Sequence, residues 1–130
     1  MCGIAGLVYS QNTDAPDLAP LLKAMANAMR HRGPDDEGFY VAPSNRVGFA
    51  NRRLAIRDLS PAGHMPMSNA AGTITITYNG EVYNADELRA ELEQHGHRFR
   101  STSDTEVILL GYEQWGSGIV ARLRGMFAFA

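Results

Sequence analysis

Apolar and polar residues follow two different spacings along this chain, and together the spacings predict both strands and helices. A strict alternation through residues 73–79, TITITYN, predicts a strand with one buried face. A run of small apolar residues at positions 3–9 predicts a buried first strand. Shorter apolar runs predict further strands at residues 39–41, 47–50 and 125–130, and a brief strand is also expected at residues 97–100.

Apolar residues at helical spacing predict three helices between these strands. The first helix is expected to end near Arg30, and its apolar face consists of Leu18, Leu21, Leu22, Met25 and Met29. Asn84 and Ser103 each stand three residues before a glutamate, which is the signature of a helix N-terminus with a capping box. We expect these two helices to end before Gly96 and at Trp115. Hairpin-like strands with separated helices predict an α+β layered domain rather than an alternating parallel one.

Length and charge narrow the class of protein. A chain of 130 residues is long enough to form one domain with its own core. Twelve basic and fourteen acidic residues give a net charge of −2, which does not indicate a nucleic-acid or membrane-surface partner. No segment approaches the roughly 18 consecutive apolar residues that a membrane helix needs.

The single cysteine and the four histidines bear on compartment and cofactors. One cysteine cannot form an internal disulfide, so a reducing, cytoplasmic location is expected. The histidines do not form a set with ligand spacing, and without further cysteines a zinc site is not predicted. No segment matches a glycine-rich phosphate loop. We therefore expect neither a metal nor a cofactor in this chain, and no ATP binding by it.

Cys2 is the first candidate for chemistry because of its place directly after Met1. Aminopeptidases remove an initiator methionine that precedes a small residue, which would leave Cys2 with both a thiol and a free α-amine. An N-terminal amine can accept the proton of its own side chain, so this pair is a nucleophile with a built-in base. The alternative is a buried strand whose cysteine is a small apolar residue.

Asn79 and Gly80 follow the alternating strand and could help such a nucleophile. A side-chain amide and a backbone N–H can together donate hydrogen bonds to the oxyanion of a tetrahedral intermediate. Asn-Gly is also the preferred two-residue hairpin turn, and the pattern alone leaves both interpretations open.

Several charged residues could hold the ends of an amino-acid substrate. Arg52, Arg53 and Arg57 offer guanidinium groups for an α-carboxylate, although most arginines lie on the surface. Glu81 and Asp104 stand at the ends of predicted elements and could pair with an α-ammonium group. Asp104 could instead stabilise the dipole of the helix that it begins.

Taken together, these residues resemble those of a known family, the N-terminal glutaminase domain of glutamine-hydrolysing asparagine synthetases. This domain is a class II glutamine amidotransferase of the N-terminal-nucleophile hydrolase type. The matching stretches span the whole chain in family order: MCGIAG, RHRGPDDEG, RRLAIRDLSPAGHMPM, YNGEVYNADELRAEL, FRSTSDTEVILLGYEQWG and RGMFAFA. Amidotransferases that act on sugar phosphates or phosphoribosyl pyrophosphate carry a His-Thr-Arg-Trp type segment where this chain has NRRLAI.

The resemblance implies an αββα four-layer sandwich and a reaction. Cys2 corresponds to the nucleophile, with its freed amine as the base, and Asn79 and the Gly80 N–H correspond to the oxyanion hole. The implied reaction is hydrolysis of the side-chain amide of L-glutamine through a thioester, giving glutamate and ammonia. In the whole enzyme, the ammonia serves the ATP-dependent amidation of aspartate in a second domain.

The resemblance also assigns substrate contacts. Arg53 corresponds to the residue that grips the α-carboxylate of glutamine, and Glu81 and Asp104 correspond to the positions that hold its ammonium group. The backbone around Ile56 and Arg57 lines the same pocket. Arg57 departs from the family pattern, in which an aliphatic residue is commoner at this position.

The extent of the resemblance leads to an expectation about domains. Residues 1–130 are expected to be the N-terminal part of the amidotransferase domain, without the synthetase domain that would bind ATP and Mg²⁺. We expect an incomplete sandwich with exposed apolar residues, such as Phe127 and Phe129, that needs the rest of the chain, a partner chain or a homo-oligomer.

Two other functions remain open at this point. A non-catalytic module could bind glutamine or a partner chain, and a retained Met1 would favour it by removing the proposed base. A thiol protein that uses Cys2 alone would lack a resolving cysteine. The final acceptor of the ammonia does not follow from this sequence.

Overall fold

The computed structural model describes residues 2–55 and 60–130, which form four layers in the order helix, sheet, sheet, helices. The helices are α1 (Leu18–Ala28), α2 (Ala85–Gln94) and α3 (Asp104–Trp115). The strands are β1 (Gly3–Val8), β2 (Asp36–Val41), β3 (Val47–Arg53), β4 (Met67–Ser68), β5 (Thr75–Ile76), β6 (Tyr78–Val82) and β7 (Gly125–Phe129). The expected α+β class is confirmed.

The first sheet has the order β1-β3-β2, and both pairs are antiparallel. Helix α1 covers one face, with Leu18, Leu22 and Ala26 packed against Ala50 of β3. The predicted first strand is confirmed at residues 3–8, but its burial was overestimated. Its positions alternate between sheltered and exposed, and Val8 is 77% exposed because only one face of the strand meets the helix.

The second layer consists of two antiparallel pairs, β4-β5 and β6-β7, covered by α3 and by α2 packed beside it. The predicted continuous strand at residues 73–79 is wrong in its extent. Thr77 separates β5 from β6, because β5 pairs with β4, whereas Thr77 pairs with Ala130 and β6 pairs with β7. The two layers meet where β1 contacts β6.

The strand predicted at residues 97–100 is absent from the part of the chain that the structure describes. Contacts of the Arg89 side chain, rather than backbone hydrogen bonds to a neighbouring strand, hold this segment in place. The guanidinium of Arg89 lies 3.9 Å from the ring centroid of Phe99 and donates hydrogen bonds to the carbonyls of Ser101 (3.0 Å) and Ser103 (3.1 Å). The preceding helix ends as predicted, because Gly96 takes a φ of +91° that side chains rarely adopt.

The two predicted helix starts are at the expected residues, but their caps differ. Ser103 accepts a hydrogen bond from the N–H of Thr105 at 3.1 Å, which confirms the cap of α3. Asn84 makes no side-chain cap for α2. Its amide instead joins the segment before β7, donating to the carbonyl of Arg122 at 2.9 Å and accepting from the N–H of Arg124 at 2.8 Å.

The apolar residues near the end of β7 are less exposed than expected. Phe127 and Phe129 are half-buried, since both pack against the larger core between this layer and α3. Within residues 2–55 and 60–130, no helix is long and apolar enough to cross a membrane.

Candidate active site

Cys2 lies immediately before β1 and is half-buried. The register that pairs Gly3 with Arg52 brings the thiol to the end of β3. There the sulfur accepts a hydrogen bond from the N–H of Leu54 at 3.4 Å, and the carbonyl of Leu54 lies 3.7 Å away. Arg32 donates from Nη2 to the carbonyl of Cys2 at 3.4 Å. Backbone pairing and one arginine therefore fix the thiol in place.

Cys2 and Asn79 line one cavity of about 340 Å³, although they are far apart in sequence. The cavity is completed by residues of β1 and of the segment after α1, namely Gly3, Ile4, Met29, His31 and Arg32. The oxygen of the Asn79 side chain is buried there without a hydrogen-bond partner among the described residues. A largely apolar cavity with a few polar groups converging beside a thiol is the usual form of a small-molecule site.

The Asn79-Gly80 pair lies inside β6, so the hairpin-turn interpretation is wrong. Thr77 and Ala130 exchange both backbone hydrogen bonds, at 2.9 and 3.1 Å. In an antiparallel ladder only alternate residues do so, and Asn79 is therefore the next residue bonded to β7. Gly80 consequently directs its N–H towards the opposite edge of β6, away from β7.

Gly80 is required by the close approach of β7. A Cβ atom at this position would lie 2.4 Å from the carbonyl oxygen of Met126 and 2.6 Å from the Cα of Phe127. Since real Cβ atoms do not approach backbone so closely, a side chain here would displace β7 or β6. The packing of β6 against β7 therefore requires a glycine at this position.

Asp104 is buried at the first turn of α3 and is bonded to β6. Its Oδ2 atom accepts from the hydroxyl of Tyr78 at 2.6 Å and from the N–H of Val82 at 3.0 Å. A substrate ammonium would therefore have to meet the other carboxylate oxygen. Glu81 is half-buried on the same strand, opposite Met126.

Tyr78 is a residue of this site that the sequence analysis did not single out. Its burial, its hydrogen bond to Asp104 and the negative charges of Asp104, Glu81 and Cys2 all raise the pKa of its hydroxyl above the ordinary value. Tyr78 therefore remains a neutral donor, and its surroundings bring three of the predicted site residues into one electrostatic neighbourhood. Its position in a regular alternating strand gave no signal beyond burial.

Arg53 ends β3 and is only 8% exposed, so it is not a surface arginine. Its Nη1 donates to the carbonyl of Ser60 at 3.2 Å, and the side chain lines a second cavity of about 560 Å³ with Asp35, Asp36 and His64. Arg52 is also buried, and it pairs with Glu37 at 2.6 Å. Ile56 and Arg57, predicted to line the substrate pocket, lie outside the described residues.

Arg32 is a second residue that sequence reasoning missed. It belongs to the segment RHRGPDDEG, which was considered only as a helix end and as part of a family pattern. A cluster of arginine and histidine beside glycine and proline is a signal that could have identified it. Within the described ranges, no three His, Cys, Asp or Glu side chains are grouped so that they could hold a metal ion.

In this four-layer α+β fold, a thiol at the start of one sheet shares a cavity with an amide side chain from the second sheet. The model of the glutamine amidotransferase domain family matches residues 1–130. The chain therefore belongs to the glutamine amidotransferase domain family.

Proteins with high sequence similarity cover all or nearly all of this chain. Asparagine synthetase [glutamine-hydrolyzing] 2 of Bacillus subtilis is 46% identical over 134 residues, which is 100% of this chain and 17% of the relative. Asparagine synthetase B [glutamine-hydrolyzing] of Escherichia coli is 42% identical over 100% of this chain and 23% of its own length. Amidase chry2 of Gibberella zeae is 34% identical over 99% of this chain and 20% of its own length. The chain thus spans about a fifth of the length of these relatives.

A solved structure shows the same fold at low sequence identity. Glutamine phosphoribosylpyrophosphate amidotransferase from B. subtilis, complexed with ADP and GMP, matches 97% of this chain and 34% of its own chain with a TM-score of 0.75. The identity is 19%, so the match concerns the fold alone. That fold is of the N-terminal-nucleophile hydrolase type, as the resemblance implied.

Proposed function

We propose that this chain hydrolyses the side-chain amide of L-glutamine to glutamate and ammonia, with Cys2 as the nucleophile. The observation that carries the proposal is the cavity shared by Cys2 and Asn79, which joins a near-terminal thiol to an amide donor from another sheet. Membership in the glutamine amidotransferase domain family supports the choice of substrate.

The proposed reaction requires the removal of Met1, so that the α-amine of Cys2 is free. The amine, with a reference pKa of about 7.7–8.0, takes the thiol proton as the sulfur attacks the side-chain carbonyl of glutamine. The oxyanion accepts hydrogen bonds from the Asn79 amide and the Gly80 N–H. The amine then protonates the leaving nitrogen, ammonia departs, and water hydrolyses the thioester to release glutamate and restore the thiol.

The two ends of glutamine would be held by charged side chains. We assign the α-carboxylate to Arg53, whose guanidinium has five N–H donors and can hold the Ser60 carbonyl and a ligand together. We assign the α-ammonium to Glu81 and Asp104, which lie on and beside β6. The backbone around Ile56 and Arg57 remains a predicted wall of this pocket.

The fate of the ammonia is a proposal that concerns a longer protein. The relatives named asparagine synthetases suggest that the ammonia amidates aspartate in a synthetase domain that uses ATP and Mg²⁺. That domain, supplied by the remainder of a chain or by a partner, is the proposed partner of residues 1–130. We propose no cofactor for the glutaminase reaction itself.

Glutamate release by the wild-type chain and by Cys2→Ala tests the proposal. We expect the variant to fall to background, and we expect an electrophilic glutamine analogue to add its mass to Cys2 in the wild type only. Intact mass establishes beforehand that Met1 is absent. Release by Cys2→Ala at the wild-type rate would overturn the proposal. A processed wild-type chain that binds glutamine without releasing glutamate would favour the non-catalytic alternative.

A further inference from the structure

Asn51 is a buried amide on β3 that reaches across to β6. Its side chain is 1% exposed, and its Nδ2 atom donates to Thr77 Oγ1 at 3.2 Å and to the carbonyl of Tyr78 at 3.3 Å. A carbonyl can only accept a hydrogen bond, so the contact with Tyr78 determines which end of the amide faces β6. Asn51 therefore joins the sheet that contains β1, the strand directly after Cys2, to the strand that carries Asn79.

The oxygen of the same amide has no hydrogen-bond partner among the residues that the structure describes. A buried acceptor without a partner costs free energy, and an apolar side chain of similar shape would avoid that cost. Folding stability alone does not explain an amide at this position. Residues that break a local rule of this kind tend to occur at functional sites.

The carbonyl that Asn51 holds belongs to the peptide unit directly before Asn79. Tyr78, Gly80 and Val82 direct their backbone groups to the edge of β6 that faces away from β7. On this edge the Tyr78 carbonyl is bound by Asn51, and the Val82 N–H is bound by Asp104 at 3.0 Å. The edge is thus fixed on both sides of Gly80, the residue that offers its N–H to a ligand.

We propose that Asn51 is a positioning residue that sets the place of the oxyanion donors on β6. The inference rests on the proposed function, since it assigns a reason for the geometry of Asn79 and Gly80. Oxyanion donors must lie about 2.7–3.1 Å from the place where the oxyanion forms. A displacement of about 1 Å can lower the rate about 10²-fold, so a contact that fixes the preceding peptide affects turnover.

The test compares Asn51→Leu with Thr77→Val in glutamine hydrolysis by the full chain. The leucine keeps the approximate shape of the amide and removes its hydrogen bond to the Tyr78 carbonyl. The valine removes the Thr77 hydroxyl as an acceptor and leaves the contacts of the amide with the Tyr78 carbonyl and with Met65 Sδ in place, so it is the matched control for a purely structural effect. We expect Asn51→Leu to lower kcat on the order of 10- to 100-fold with an unchanged KM. Thr77→Val should retain the wild-type kcat.

A double-mutant cycle with Asn79→Ala adds a readout that a structural role would not change. If Asn51 acts through the oxyanion donors, its substitution should lower kcat less in the Asn79→Ala background than in the wild type. Equal losses in both backgrounds would overturn the inference. A wild-type kcat for Asn51→Leu would also overturn the inference. So would losses of kcat in Asn51→Leu and Thr77→Val that are proportional to the losses in their melting temperatures.

A replacement variant and the activity of the wild-type chain keep the result interpretable. If Asn51→Leu does not fold, Asn51→Ser takes its place, because its hydroxyl is one bond shorter and cannot reach the Tyr78 carbonyl. The same outcomes then apply. An inactive wild-type chain with Met1 removed would count against the proposed function, whereas an active wild type with active Asn51 variants would count against this inference alone.

Discussion

Two strands carry the candidate active site, and different kinds of contact fix them in the fold. Strand β1, which follows Cys2, is paired with β3 along its whole length. Strand β6, which carries Asn79, is paired with β7 on one edge and is held on the other by the side chains of Asn51 and Asp104. We call the part of the site around Cys2 and β1 the nucleophile side, after the role proposed for Cys2, and the part around Asn79 and β6 the donor side. The nucleophile side depends on backbone hydrogen bonds, whereas the donor side depends on buried polar side chains.

The difference extends to the charged groups near each strand. Asp104 and Glu106 are buried at the start of α3, and both accept hydrogen bonds from backbone N–H groups. Glu37 on β2 of the other sheet is partly exposed, and it pairs with the exposed Lys23 and with the buried Arg52. Because an unsatisfied buried donor costs more than a lost surface contact, polar substitutions should damage the donor side more.

The largest effect on the donor side is expected for Asn79→Ala. Loss of one oxyanion donor lowers kcat by about 10²–10³-fold in enzymes of known mechanism. The Asn79 oxygen has no partner among the described residues, so the melting temperature should change little. Steady-state kinetics with glutamine and thermal unfolding measure the two quantities. Asn27→Ala, at an exposed position of α1, is the control. An unchanged kcat for Asn79→Ala would remove Asn79 from the proposed oxyanion hole.

The next largest effect should follow Glu106→Gln, because this carboxylate organises the segment that leads to Asp104. It is 2% exposed and accepts from the N–H of Arg100 at 3.0 and 3.1 Å, and from the N–H and hydroxyl of Ser101 at 2.8 and 2.6 Å. A glutamine keeps one acceptor and turns an NH₂ group towards these donors. We expect a loss of about 3 kcal/mol in the free energy of unfolding, the upper range for hydrogen bonds to a charged group.

Denaturant titration measures the loss, and Glu93→Gln at an exposed position of α2 is the matched control. A loss no larger than that of the control would contradict the role given to Glu106. The sequence had suggested a different role for this residue, as the second half of a capping box at Ser103. In the structure its carboxylate turns instead to residues 100 and 101.

The features that the sequence could predict are those that depend on residues close together in the chain. Spacing alone was enough for α1, for the cap at Ser103 and for the end of α2 at Gly96, since these depend on residues close together in the chain. Residue chemistry singled out Cys2 and Asn79 as candidates, the family resemblance assigned their roles, and the fold brings both side chains to one cavity.

The contacts that hold the donor side could not be predicted in this way. The hydroxyl of Tyr78 meets Asp104 over a separation of 26 residues, and Asn51 meets the Tyr78 carbonyl over 27. A polar residue within a strand has no pattern that indicates its partner, because its partner depends on how two sheets are stacked. The alternation that predicted a strand at residues 73–79 likewise gave no sign that its two ends pair with different strands.

Tyr78→Phe should have a smaller effect than Glu106→Gln, and the effect should depend on pH. The variant loses one hydrogen bond to a carboxylate, worth about 1.5 kcal/mol, and leaves Asp104 bonded to the Val82 N–H. Burial and Asp104 raise the pKa of Tyr78 in the folded state, so the unfolded chain releases this proton first as the pH rises. Its contribution is present below about pH 10, the ordinary tyrosine value, and is lost above it.

The free energy of unfolding of Tyr78→Phe should therefore approach that of the wild type as the pH is raised from 8 to 11. Denaturant titrations at several pH values measure this difference. Tyr83→Phe, at a position that is 64% exposed, controls for the general effect of removing a tyrosine hydroxyl. A difference that stays constant through this range would show that the Tyr78 hydroxyl is not buried against Asp104.

The smallest effect is expected on the nucleophile side, for Glu37→Gln. The hydrogen bond from Lys23 lowers the pKa of Glu37, and the charges of Lys23 and Arg52 act in the same direction. A lowered pKa means that the stabilisation is present above the ordinary value of 4.5 and is lost as the pH falls below it. The variant should be slightly less stable than the wild type at pH 7, and the two should converge towards pH 3. A loss at pH 7 as large as that of Glu106→Gln would contradict the distinction between the two sides, because Glu37 is partly exposed and its glutamine replacement can still accept a hydrogen bond from Arg52, whereas Glu106 is buried.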